Sequence, residues 1–169
     1  RPGCCVPIRI TVGISVVDSP TMGEIWTTGS KLIPASGVLG KANFNFFRAL
    51  YYFQMFKDYG ELTWVDKPLD PNIEEMYLPR DSRTFVVDKM LADLDLAIEN
   101  LQTKNNSSSM RVHKDVARAL KAEIALFEAT WEKYHKAKND AFYDKTVTDE
   151  KIKSYLEQCV AACKDVVDT

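Results

Sequence analysis

Asn43-Phe44-Asn45-Phe46-Phe47-Arg48-Ala49-Leu50-Tyr51-Tyr52-Phe53-Gln54-Met55-Phe56-Lys57-Asp58-Tyr59 is the stretch whose reading decides the fold. Wound as a helix, it places Phe44, Phe46, Phe47, Leu50, Tyr51, Phe53, Met55 and Phe56 around almost the whole cylinder. A helix that is apolar on every side has to be covered on more than one side. Gly60 follows directly and is the expected stop, because glycine accepts the left-handed conformation that ends helices. The rest of the chain is therefore expected to supply packing partners of the same kind.

Three further helices are legible downstream. A connector over 61–80, punctuated by Pro68, Pro71 and Pro79, is longer than most helix–helix links and reads as a structured loop. Asp81 or Ser82 then caps a helix on which Val87, Leu91, Leu94, Ile98 and Leu101 recur at alternating spacings of 4 and 3 residues. Asp88, Asp93, Asp95 and Glu99 fall between them and read as a solvated acidic side. Lys104 to Ser109 is a polar turn. A third helix is expected over His113–His135, with Val116, Leu120, Ile124, Phe127, Trp131 and Tyr134 as its stripe. Alanines at 117, 119, 122, 125 and 129 thin its flanks, which lets neighbouring helices approach closely. The fourth helix starts at Thr148 or Asp149 and carries Ile152, Leu156, Cys159, Cys163 and Val166. Helices one and two, then three and four, read as antiparallel hairpins of a stacked array. The expected fold is all-α, with tetratricopeptide-like stacked helical hairpins, an irregular N-terminal segment and long connector loops.

The other end of the chain differs in character. Six of the seven glycines and four of the seven prolines lie within the first 40 residues. Such punctuation favours turns and short extended pieces, with Ile8 to Val12 as a candidate strand. The boundary is placed near residue 40, giving an irregular segment over 1–40 and a helical-repeat region over 41–169. An aromatic helix apolar all round at the start of the array is expected to be the beginning of a larger protein.

Composition narrows the function classes. With 22 basic and 24 acidic side chains the net charge is −2, which offers no basic excess to a phosphate backbone, so no nucleic-acid partner is expected. No apolar run approaches the ~18–20 residues of a membrane span. Cys4-Cys5 and Cys159/Cys163 are adjacent or one helical turn apart, spacings poorly suited to disulfides, and read as small buried apolar residues. His113 and His135 stand far apart, no nucleophile elbow or glycine-rich phosphate loop occurs, and Glu74-Glu75 reads as solvated surface. No catalytic residue, metal site or cofactor is expected, and the chain is not read as an enzyme.

Several of these segments resemble one family. Asn45 to Phe53, with Tyr59-Gly60 behind it, is similar to the aromatic helix of the SusD/RagB proteins, surface nutrient-binding lipoproteins of Bacteroidetes. The resemblance continues through Trp64-Val65-Asp66-Lys67-Pro68-Leu69, Leu78-Pro79-Arg80-Asp81-Ser82-Arg83 and Asp93 to Ile98. It resumes at Ala117 to Glu128, Trp131 to His135 and Ala161 to Asp168. It spans about residues 45–168 in order, with Thr63 where the family usually has proline. Residues 1–40 resemble nothing recognisable.

The resemblance implies non-catalytic binding of oligosaccharide or another nutrient at the outer face of a bacterial outer membrane. It also implies an N-terminal lipid anchor and delivery to a SusC-like TonB-dependent transporter. A sugar site calls for flat aromatic faces beside amide, carboxylate or guanidinium groups. Aromatics in loops qualify better than those in helical stripes, so Trp26, Trp64 and Tyr77 are the candidate ligand contacts. The alternative is a helical-repeat adaptor that docks a partner protein.

Overall fold

The computed structural model describes residues 35–66, 77–104, 111–140, 142–143 and 147–168. Four helices make up its regular structure: α1 (Ala35–Tyr59), α2 (Arg83–Asn100), α3 (Lys114–Lys138) and α4 (Asp149–Val167). No strand occurs among the described residues, and the expected strand at Ile8 to Val12 lies outside them. α1 packs on α2, α2 on α3 and α3 on α4, so consecutive hairpins stack side by side as the periodicity predicts.

The helix ends follow local chemistry. Ser82, not Asp81, caps α2: its Oγ accepts the Phe85 N–H at 3.4 Å. The Asp81 carboxylate instead accepts the Trp64 N–H at 2.7 Å and fastens the connector. Thr148 caps α4 through the Lys151 N–H at 3.3 Å, with Asp149 and Glu150 in the first turn, where negative charge suits the helix dipole. Gly60 closes α1 at φ 74°. α3 runs on past His135 to Lys138 and stops at Asn139, which takes the left-handed conformation.

α1 begins at Ala35, ahead of Asn43, and absorbs Gly37 and Gly40. Each glycine in a helix interior costs about 1 kcal/mol relative to alanine, which made the segment look broken. Packing overrides that cost. Ala42 is buried, Leu39 lies against the core, and the Asn43 amide donates to the Leu39 carbonyl at 2.9 Å.

The core is built from Phe46, Ala49, Phe53 and Phe56 of α1 against Val86, Val87, Met90, Leu91 and Leu94 of α2. Three other aromatics of α1, Phe44, Phe47 and Tyr51, face outward with about half of each exposed. On α3 the alanines at 117, 122, 125 and 129 are not flanks, whereas Ala119 is exposed. Ala117, Ala125 and Ala129 share the inward face with Leu120 and Ile124, while Val116 and Tyr134 point outward. Small side chains let α2 and α4 close in on that face, and the large residues are left at its edges. On α4 the inward row is Ile152, Tyr155, Cys159 and Ala162, and Cys163 is exposed. Tyr155 can be buried completely because its hydroxyl donates to Asp88 of α2 at 2.9 Å.

Asp93 corrects the reading of α2 as having a solvated acidic side. Its carboxylate is buried and takes a bidentate pair of bonds from Arg48 of α1, Nε to Oδ2 and Nη2 to Oδ1, both at 2.6 Å. The Arg48 guanidinium also lies 5.3 Å from the Phe44 ring and 5.0 Å from the Trp64 ring. A planar fork that matches a carboxylate and stacks on aromatics is the geometry only arginine supplies.

Candidate binding cavity

Where α1 ends, α2 begins and α3 passes behind them, the surface opens into a cavity of about 420 Å³. That is within the range of ~300–1,000 Å³ typical of small-molecule sites. The last turn of α1 supplies Phe56 and Tyr59, and the left-handed Gly60 turns the chain away so that the end of the helix stays open. Arg80 and Arg83 enter from the connector and the first turn of α2, and Phe127 and Trp131 from α3. Phe142, from the loop after α3, stands at the rim.

The aromatic wall is continuous. Phe53 and Phe56 meet Phe127 edge-on at 5.6 and 6.4 Å, and Phe127 stacks on Trp131 at 6.0 Å. Trp131 lies 4.3 Å from His135, which lies 5.6 Å from Phe142. Arg83 is clamped in this wall. Its guanidinium sits 4.2 Å from the Phe56 ring and 4.5 Å from the Trp131 ring, and Nη2 donates to Glu128 at 2.8 Å. Glu128 is fully buried, so a fixed cation opposite it compensates the desolvated carboxylate. The wall therefore presents flat apolar faces. Lys57, Asp58, Glu61 and Arg80 around the opening supply donors and acceptors of both signs. That combination suits a hydroxyl-rich ligand with an apolar face.

Of the residues singled out from the sequence, Trp64 and Tyr77 do not line this cavity. Trp26 is outside the described residues. Trp64 is half-buried: its ring lies 4.4 Å from Tyr52 and carries the Arg48 guanidinium. The Tyr52 hydroxyl accepts the Val65 N–H at 2.9 Å and donates to the Thr63 carbonyl at 3.3 Å. Burial of that phenol pushes its pKa up. Tyr77 is 89% exposed and does not line the cavity. Trp131, read as part of a core stripe, is half-buried and faces the cavity instead. No local signal in the sequence marked it: Phe127 and Trp131 lie one turn apart as a core stripe would, and the burial of the interleaved Glu128 and Glu132 is visible only in the fold.

Among the described residues no group of three or more His, Cys, Asp or Glu side chains could hold a metal ion, and no helix is long and apolar enough to cross a membrane. No protein-family model and no curated protein matches the sequence. A solved structure does. It is a SusD-like protein from Bacteroides fragilis, similar to this chain with a TM-score of 0.60 and 23% identity over 80% of this chain's residues. The chain has a SusD-like fold. It spans 22% of the length of that SusD-like protein.

Proposed function

We propose that the chain is part of a non-catalytic binding protein that captures oligosaccharide, or another nutrient of similar chemistry, at the cell surface. The observation that carries this reading is the Phe127–Trp131 wall beside Arg80 and Arg83, set in a SusD-like fold. Sugar rings present an apolar face to such aromatics and hydroxyls to such cations. In the same reading the protein stands on the outer face of the outer membrane by an N-terminal lipid and passes its ligand unchanged to a SusC-like TonB-dependent transporter. Residues 1–34 then act as a lead into the helical-repeat region, which begins with α1 at Ala35 and not at residue 41. Trp26, Trp64 and Tyr77 are proposed as further ligand contacts, Tyr77 having a ring open to a partner.

Affinity electrophoresis through gels containing soluble polysaccharides tests the proposal. At least one polysaccharide is expected to retard the protein without releasing product, and Trp131→Ala is expected to abolish the retardation. Migration unchanged by every polysaccharide, or a Trp131→Ala variant retarded as strongly as the parent, would refute it. The outward aromatics Phe44, Phe47 and Tyr51 favour a second reading, a helical-repeat adaptor for a partner protein. Retardation lost on replacing Trp131, yet untouched by Phe47→Ser and Tyr51→Ser, separates the two.

A further inference from the structure

The chain leaves α3 through a turn that reaches the cavity. Asn139 ends the helix at φ 49°, a conformation that short amide side chains accept, and turns the backbone toward the last turn of α3. Asp140 then bonds in two directions. Its Oδ2 lies 2.7 Å from His135 Nδ1, and its Oδ1 accepts the Phe142 N–H at 3.1 Å. The second bond is an Asx turn, and the Tyr143 N–H adds a bond to the Asp140 carbonyl at 3.3 Å.

His135 is a fixed post for this turn. It is buried, with its ring 4.3 Å from Trp131 and edge-on to Tyr134 at 5.2 Å. Phe142, the residue held by the other carboxylate oxygen, is mostly exposed, so burial alone does not hold its ring at the rim. The bond to His135, the Phe142 N–H and the nearby Lys138 hold the Asp140 carboxyl below the usual carboxylate range. It is therefore an anion, and a strong acceptor, throughout the neutral range.

We propose that the Asp140–His135 pair is a positioning latch that holds Phe142 as one wall of the cavity and so controls access to Trp131. Its role in choosing a ligand rests on the cavity being the binding site. Its mechanical action on the opening does not, and is measured with no glycan present.

The full chain is labelled with 5-fluorotryptophan, and the Trp131 fluorine resonance is assigned from the Trp131→Phe variant. The soluble nitroxide TEMPOL broadens resonances of accessible indoles. Phe142→Ala and Asp140→Ala are each expected to raise the broadening of the Trp131 resonance about twofold, because Phe142 and Trp131 line the same cavity and removing one wall opens it to the probe. The Trp64 resonance, from a residue that does not line the cavity, stays unchanged. Asp140→Ala added to Phe142→Ala is expected to raise it no further. Asp140→Asn keeps an acceptor for the Phe142 N–H but loses the carboxylate oxygen that meets His135 Nδ1, so it is expected to raise the broadening as Asp140→Ala does. Unaltered broadening in either alanine variant, additive effects in the double variant, or a parent value restored by asparagine would overturn the latch. If Asp140→Ala loses helical circular dichroism, Phe142→Ala and Asp140→Asn carry the test. Phe142 is exposed, so its truncation leaves the helices in place.

Discussion

Replacing Arg48 with methionine gives the sharpest test of how the first hairpin is held. The Arg48–Asp93 pair has side chains only 17% and 7% exposed and two bonds of 2.6 Å. Opposite charges about 4 Å apart attract by ~4 kcal/mol at an effective dielectric of ~20, and burial costs a comparable amount. The pair itself is therefore near break-even, but its two halves are unequal. Arg48→Met strands the Asp93 carboxylate in the core and is expected to cost about 3–5 kcal/mol. Asp93→Ala strands a guanidinium that reaches solvent more readily and keeps its aromatic neighbours, so about 2–3 kcal/mol is expected. The double variant Arg48→Met/Asp93→Leu removes both charges and is expected to recover most of the loss, ending within about 1 kcal/mol of the parent. Urea unfolding followed by helical circular dichroism reads these differences at constant m-value. Arg48→Met should also lower the melting temperature by roughly 10 °C. The reasoning fails if Asp93→Ala is as damaging as Arg48→Met, or if the double variant is no better than the worse single.

Three other outcomes follow from individual sites. Gly40→Ala should stabilise the protein by about 0.5–1 kcal/mol in the same urea assay, because Gly40 lies inside α1 and an added Cβ meets nothing within 4 Å; a loss of stability would show that the helix does not include residue 40. Ala125→Leu should cost about 1–3 kcal/mol, since Ala125 is completely buried where α3 meets its neighbours; a neutral result would mean that the helices do not pack closely on the alanine face. The Tyr155 phenol is pushed far up, first by burial and then by the Asp88 carboxylate, and burial also pushes up that of Tyr52. The folded state then holds those protons more tightly than the unfolded one. Their contribution is complete below about pH 10 and is lost as the pH climbs above it. Tyr155→Phe should cost about 1 kcal/mol at pH 7 and flatten the alkaline decline, and an unchanged decline would contradict the burial.

Particular residues show where legibility stops. The stripe of α2 from Val87 to Leu101 was legible because 4-and-3 spacing reports one helix face whatever lies opposite it. Caps and stops were legible for the same local reason: Thr148, Gly60 and the Ser82 alternative are each chosen by backbone groups within a few residues. The start of α1 was not, because two glycines outweighed packing that only the folded chain supplies. The candidate contacts were sought in loops, on the argument that helix aromatics are core. The structure instead exposes the edge of a helix aromatic, Trp131, because the alanines beside it take the tight contact with α4.

The sequence by itself determined four helices, their order and their pairing into hairpins, since periodicity, capping and turn chemistry act over a few residues. Only the tertiary structure decided which charges go inside. Asp93 meets Arg48 and Glu128 meets Arg83 across 45 residues of chain in each case. A carboxylate is tolerated in a core only when its partner arrives from elsewhere in the fold, and no local pattern records that arrival. The cavity has the same origin: its wall is assembled from the end of one helix, the start of a second and the edge of a third.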